Sequence, residues 1–320
     1  MSEQHKTHVK KERYHGRLAQ IRIYLGKLLR MFIYQSDWKA LPMAALIAGL
    51  VTFAVGPNLY KTQEGTLQGS FALVCVCVWN GFFNSIQVVC RERTIIKREH
   101  RAGMHISAYV AAHMIYQALL CAAQTVIIIG ICRLSGISFP TAGLLTRRFL
   151  VDFGLLLFLT TYSADMLSLM ISSLVKNTTT AMTVMPFLLI FQLLFSGGLV
   201  RLGEEMNWIT KLTLTKWGLI GLCALGNYNS LPMVTLWNTL WRFREVDVGG
   251  IKPVAEALDM ITDNGLQDLV LQKSGEYSQL AEYAYTSENL ANCLIRLGIF
   301  AVLFALIALI LLEFVDKDKR

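Results

Sequence analysis

Residues 67–101 read LQGSFALVCVCVWNGFFNSIQVVCRERTIIKREHR, and the change of character just after Val89 decides the fold. Up to that point the run is mostly apolar and long enough to cross a hydrocarbon layer, which takes about 20 residues of helix. Beyond it, seven charges fall within the 11 residues Arg91–Arg101. Mixed charge at helical spacing predicts a short helix standing in water directly after a membrane span.

Outward from this join, apolar stretches of spanning length recur at 41–60, 67–89, 104–133, 149–174, 181–202 and 292–314. The chain therefore reads as an all-α polytopic membrane protein with six transmembrane helices. Of its 320 residues, 54% are hydrophobic and 16% charged, whereas an ordinary soluble domain carries about 25% charged residues. That balance excludes a disordered chain, a collagen-like repeat and a disulfide-built secreted scaffold. The parts expected are a basic tail and amphipathic elbow helix at 1–38, five spans at 39–203 with the charged helix at about 91–101, a re-entrant segment and acidic domain at 204–291, and a last span and tail at 292–320.

Charge orients these spans. Residues 1–38 hold eight Lys/Arg against three acids, and Arg91, Arg93, Lys97, Arg98 and Arg101 outnumber Glu92 and Glu99. Glu245–Asn289 has nine acids and only Lys252 and Lys273. Both termini are thus expected in the cytoplasm of a plasma or bacterial inner membrane, with the acidic domain outside. Arg147 and Arg148 run against this assignment. The net charge of +8 is a topology signal, with no nucleic-acid partner implied. Residues 1–16 are polar and show no cleavable signal. The seven cysteines, Cys75, Cys77, Cys90, Cys121, Cys132, Cys223 and Cys293, avoid the acidic stretch and read as small apolar residues.

Between Arg17 and Ser36, Leu18, Ile21, Leu25, Leu28, Leu29 and Phe32 recur at helical spacing, with Arg22, Lys27 and Arg30 on the other side. This pattern predicts a basic helix lying in the membrane interface, either a topology anchor or an elbow that relays movement. In the second span Asn80 and Asn84 share a face, with Phe83 beside it. Polar groups inside a span face protein or water, so the stripe suits either an amphipathic cargo or helix–helix hydrogen bonding. Asp165 is an intramembrane acid, suited to pairing with a neighbouring helix or to proton relay. His105 and His113 read as interfacial or hydrogen-bonded structural residues. Pro186 is expected to kink the fifth span, Gly197–Gly198 to break it, and Lys216–Leu225, about ten residues, is too short to cross.

No phosphate-binding loop, zinc-protease helix or serine-hydrolase elbow is present. Ser196-Gly-Gly198 bears a superficial likeness to an ATPase signature, but it lies in a span with no phosphate-binding loop upstream, so no ATPase and no catalytic or metal site is expected on this chain.

Three blocks of residues resemble one family. Arg91-Glu-Arg…Lys97-Arg-Glu-His-Arg-Ala-Gly103-Met-His-Ile-Ser-Ala-Tyr109 resembles the coupling-helix region of G-subfamily ABC exporters, the White and pleiotropic-drug-resistance type with type-2 exporter membrane domains. Tyr162-Ser-Ala, and Pro186…Phe195-Ser-Gly-Gly-Leu-Val200 followed by Lys216-Trp-Gly, agree in order. The resemblance implies a homodimer or a heterodimer with a paralogous permease, embedded among membrane lipids. It also implies a cargo cavity at Asn80, Phe83, Asn84, Leu189 and Leu193, an outer gate at Gly198 and Leu199, and coupling to an ATPase through Glu92, Arg93, Lys97, Arg98 and Glu99. The family's fused ATPase is not in this sequence, so a separate ABC ATP-binding subunit carrying ATP and Mg is expected, or a longer parent chain. Departures from the family pattern are Gly198 where a second bulky gate residue is usual, Asp165 where a small residue is usual, and an acidic loop without cysteines. The function expected is a permease subunit exporting an amphipathic cargo: a lipid, a drug-like compound or a peptide. The alternatives are an ion- or proton-coupled carrier using Asp165, and a membrane scaffold or receptor that transports nothing.

Overall fold

The computed structural model describes residues 16–34, 37–198, 203–247 and 249–314. Its α-helices, in chain order, are α1 (Arg17–Tyr34), α2 (Ala40–Val55), α3 (Gln63–Ser85), α4 (Val88–Arg101), α5 (Ile106–Leu134), α6 (Phe149–Leu174), α7 (Thr178–Leu194), α8 (Asn207–Thr210), α9 (Leu214–Leu225), α10 (Thr235–Phe243), α11 (Pro253–Asp263), α12 (Gln267–Tyr277) and α13 (Ser287–Glu313). Five helical stretches are long and apolar enough to cross a membrane: Asp37–Asn58, Gln63–Arg101, Ile106–Leu134, Phe149–Leu174 and Ser287–Glu313. The expected fifth span, 181–202, is the shorter α7 of 17 residues, about 26 Å at 1.5 Å per residue. Its helix stops at Leu194, where the Ser196 hydroxyl donates to Leu193 O at 2.7 Å and accepts from Gly198 N at 3.1 Å. Gly197 sits between them at φ +80°, where a side chain is strained.

α6 is the spine. It packs against α3 on one side and α13 on the other, with α9 also against it. Polar side chains on a buried membrane helix must find partners within the protein, and α6 meets this with short hydroxyls. Thr160 and Thr161 bond back to Leu156 O and Leu157 O. Ser163 reaches across to Leu297 O at 2.8 Å, and Ser168 to Gly81 O at 3.2 Å. Small residues allow these helices to approach closely. A Cβ on Gly81 would lie 2.8 Å from both Ala164 Cβ and Asp165 N. On α9, a Cβ on Gly218 would meet Val74 and Thr160 at 3.1 Å, and one on Gly221 would meet Leu156 at 2.7 Å. α9 is thus too short to cross but buried against α3, α6 and α13.

The two ends of the bundle differ in charge. At one end the acidic segment is clamped to the start of α3. Gln63 N donates to Pro232 O at 3.0 Å and Gln63 Nε2 to Gly275 O at 2.9 Å. The Glu64 carboxylate accepts from the backbone N–H of Val234 at 3.0 Å and of Thr235 at 2.7 Å, which fixes where α10 begins. At the opposite end α4 lies beside α1, the start of α5 and the end of α6. The expected elbow is present as α1, but its face is rotated from the expectation. Ile21, Tyr24, Leu25, Leu28 and Phe32 pack with Ala112 and Tyr116 of α5, while Leu18 is 83% exposed and Leu29 also points outward. Lys27, expected on the solvent side, faces α4.

The Gly81 contact gives a matched pair of variants. Gly81→Ala must push α3 off α6 and costs about 1–3 kcal/mol. Gly130→Ala, on α5 with nothing within 4 Å, is neutral or slightly stabilising through reduced backbone freedom. Thermal melting in mild detergent reads both; equal midpoints would contradict the close α3–α6 approach.

Candidate functional site

The charged helix α4 has three faces with three jobs. Toward α6 it is fastened by backbone and sulfur. Helix α4 lacks a side-chain cap of its own, and the Ser172 hydroxyl of α6 supplies one, accepting from Val89 N at 3.1 Å and Cys90 N at 3.3 Å. In return the last carbonyls of α6 find donors on α4. Cys90 Sγ–H donates to Ser172 O at 3.0 Å, and Arg93 Nη1 donates to Ser173 O and Val175 O, each at 3.0 Å. A guanidinium at a helix C-terminus also meets the negative end of its dipole. Cys90 is therefore more than a small apolar residue, and Arg93 is directed at α6.

Toward α1 and α5 the acids of α4 are turned inward. Glu92 is 6% exposed; its carboxylate lies 3.5 Å from Lys27 Nζ and accepts from Tyr109 OH at 3.3 Å. Glu99 accepts from Tyr24 OH at 2.7 Å. Burial, then the neighbouring Glu99 carboxylate, push the Tyr24 phenol well above its ordinary pKa, so it stays a donor across the physiological range. Gln20 closes the contact, donating to Gly103 O at 3.3 Å and accepting from His105 N at 2.9 Å. Val89 and Ile96 fill the space between with apolar packing on Tyr109 and Val110.

The third face points away from the protein: Thr94, Ile95, Arg98 and Arg101 are exposed at spacings of three to four, and Arg91, also exposed, stands at its edge where α4 lines the cavity described below. Of the five expected coupling residues, Arg98 is on this face, Lys97 is half-buried at its edge, and Glu92, Arg93 and Glu99 are engaged within the chain. Charge spacing marks a helix but not its rotation, so Arg91, Ile95 and Arg101 were not selected by sequence reading.

Above α4 a cavity of about 390 Å³ opens between α1, α3, α5 and the start of α7. Phe83 and Asn84 line it, as does Met182; Leu189 and Leu193 do not. Leu189 is packed in the central core and Leu193 is half-buried on α7. Asn80 is buried, and its Nδ2 has no hydrogen-bond partner among the described residues. Asn84 exchanges a reciprocal pair of amide bonds with Gln124, both 3.0 Å. Gln117 Nε2 donates to Ser85 Oγ at 2.8 Å. Of the two roles open to the second-span stripe, the structure shows helix–helix hydrogen bonding, with Asn84 tying α3 to α5, while Phe83 is exposed beside Trp79, their rings 5.3 Å apart. Phe187, Ile190 and Phe191 extend an exposed apolar surface on neighbouring α7, and no polar residue flags them in the sequence.

Asp165 is fully buried where α6 meets α3 and α5 and accepts from Cys121 Sγ at 3.4 Å, while its Oδ1 has no partner among the described residues. His113 departs from the structural reading given it: it is buried, its ring stands 4.5 Å from that of Tyr109, and neither nitrogen has a hydrogen-bond partner among the described residues. At the opposite end, a Cβ on Gly198 would lie 2.7 Å from Phe71 Cδ2 and 3.0 Å from Leu219 Cδ2. The Phe71 ring already occupies the space beside this glycine. Leu199, the other expected gate residue, lies outside the described residues.

Comparison with known proteins matches this architecture to one family. The ABC-2 type transporter model covers residues 25–225, from the middle of α1 to the end of α9. An ABC transporter ATP-binding/permease protein of Mycobacterium tuberculosis is 28% identical over 157 residues, which is 46% of this chain and 17% of that protein. The chain matches only a minor part of that relative's length. With the family model spanning most of its helices, the fastened α4 and the apolar bundle around α6 are those of a multi-pass membrane protein that belongs to the ABC-2 type transporter family.

Proposed function

We propose that the chain is the permease subunit of an ABC exporter, worked by an ATP-binding subunit that docks on α4. The observation that carries this reading is the division of α4 into a basic outward face and two faces fastened to α1 and α6. An ATPase that presses on Arg91, Ile95, Arg98 and Arg101 moves α1 and α6 together with α4, because Lys27, Tyr24 and Ser172 hold them to it. Both termini and α4 lie in the cytoplasm in this reading, and the acidic segment lies outside. ATP and Mg belong to the partner, which in the Mycobacterium relative is named as part of the same protein. A ligand shifts only an equilibrium between states it discriminates, so ATP acts here by favouring the α4 position of the outward-open state.

Two copies, or one with a paralogue, bury the exposed α3–α7 surface formed by Trp79, Phe83, Phe187 and Phe191 and enclose an amphipathic cargo. Asn80, Phe83, Asn84, Leu189 and Leu193 serve that cargo path, and Gly198 with Leu199 forms its outer exit, backed by Phe71. A second reading rests on Asp165, whose Oδ1 lacks a partner among the described residues: a proton-coupled carrier with no ATPase. Asp165→Asn leaves ATP-driven transport standing in the first reading and abolishes pH-driven transport in the second.

Two outcomes follow on α4. In a reconstituted complex with its ATP-binding subunit, Arg98→Glu lowers permease-stimulated ATP hydrolysis at least tenfold and leaves the permease's own melting temperature unchanged. Stimulation that survives the reversal would place the docking surface elsewhere. By contrast, Tyr24→Phe with Glu99→Gln loosens α1 from α4, read as faster amide hydrogen exchange across 20–28 with exchange in α6 unaltered. Unchanged exchange in 20–28 would show that apolar packing alone holds α1.

A further inference from the structure

We propose that Arg296 and Lys211, joined at the Trp217 indole, hold the phosphate of a phospholipid in the leaflet at the acidic-segment end of the bundle. Arg296 is the only charged residue between Glu288 and Glu313, along the most apolar of the spanning helices. A charge there is costly unless it finds a partner or reaches the head-group region. The protein offers it an aromatic face and no acid. Its guanidinium carbon stands 4.2 Å from the centre of the Trp217 ring on α9, within cation–π range, and no hydrogen bond or ion pair engages it among the described residues. The ring is itself fixed, because Trp217 Nε1 donates to Lys211 O at 2.9 Å. The Lys211 side chain is exposed and also without a partner among the described residues. Two cations without counter-ions thus meet at one indole, one through its guanidinium and one through its backbone.

Depth and direction suit a phosphate. α13 has 27 residues, about 40 Å at 1.5 Å per residue, and Arg296 lies nearer its start than its middle. Side chains on a helix lean toward its N-terminus, which here is the acidic-segment end, and a long basic side chain reaches the head groups in this way. Asn292, one turn nearer that end on the same face, is exposed and adds an amide donor. Glu288 stands a further turn out, also exposed. Arginine meets a phosphate with two parallel N–H bonds, and Glu288 beyond it suits the ammonium of a zwitterionic head better than a second negative charge. The surrounding surface is one that acyl chains cover: Ile295 and Ile299, beside Arg296, are 58% and 59% exposed. α13 packs on α6, α9 and α5, away from the α3–α7 surface assigned above to the second protomer. In leaving this face to lipid, the site rests on the permease reading.

The test uses the whole chain in lipid nanodiscs without ATP or any ATPase, labelled by a phosphatidylethanolamine carrying a diazirine on an acyl carbon next to the glycerol. Peptide mapping is expected to place adducts within 208–217 and 292–299, competed by plain phosphatidylethanolamine but not by diacylglycerol with the same chains or by inorganic phosphate. Arg296→Met, which keeps an unbranched side chain on the ring, is expected to reduce that labelling about tenfold, the scale of one hydrogen bond to a charged group. Lys211→Gln, at an exposed position with no side-chain contact to lose, is the second variant and lowers labelling without moving the melting temperature. Labelling unchanged in both variants, equal competition by diacylglycerol or by inorganic phosphate, or adducts confined to the α3–α7 surface would each overturn the site. Dissociation of a dimer by Arg296→Met would also overturn it, by giving the α13 face to a second protomer. None of these outcomes bears on whether an ATPase docks on α4, so the two readings fail separately.

Discussion

The Ser172 hydroxyl, accepting from the N–H groups of Val89 and Cys90 in the first turn of α4, is the contact on which the rest of the arrangement depends. A second span running straight on from α3 would carry Arg91–Arg101 away from the bundle. Instead the chain breaks at Ile86–Gln87, and the new helix starts against the end of α6. Each helix satisfies what the other lacks: α6 caps the start of α4 through Ser172, and α4 supplies Arg93 and the Cys90 thiol to the last carbonyls of α6. Such mutual satisfaction at a membrane boundary leaves few alternatives, because unpaired backbone groups are expensive there. The consequence is mechanical. The charged helix α4 is attached to α6, which packs against α3, α9 and α13, and α1 is attached to α4 through Lys27–Glu92 and Tyr24–Glu99.

Helix α6 then distributes that attachment. Ser163 bonds to α13, Ser168 to α3, and Gly81, Gly218 and Gly221 let α3 and α9 approach it at short range. The acidic segment joins the bundle at the far end of α3 through Gln63 and Glu64. Movement of α4 accordingly has a continuous packed route, through α6 and α3, to the end where Gly198 meets Phe71. The cavity beside His113 sits at the start of that route, between the parts that α4 holds.

Much of this was legible in the sequence. Apolar length identified the spans, the abrupt charge after Val89 identified α4, and the 3–4 spacing after Arg17 identified α1. The short α9 was legible because ten residues cannot cross a bilayer. Rotation was not legible: Leu18 and Leu29 fit the apolar stripe of α1 as well as Leu28 does, and only packing on Ala112 and Tyr116 decides between them. Likewise Glu92, Arg93 and Glu99 look like any solvated charges until α1 and α6 are placed beside them. The end of α7 came eight residues before the expected boundary, because hydropathy continues through Phe195 and Leu199 while the backbone turns at Gly197. Asn84 and His113 show the same limit within spans, since a polar residue in an apolar run announces a partner or a site without saying which.

The central claim is that α4 is the handle by which a separate ATPase works this permease. Its most direct test is to purify the tagged chain from native membranes in mild detergent and identify by mass spectrometry what accompanies it. The account predicts a soluble ATP-binding subunit in roughly stoichiometric amount, lost when Arg98 and Arg101 are both reversed. Recovery of the chain alone, from a host that makes every partner, would contradict it and move the Asp165-coupled carrier to first place.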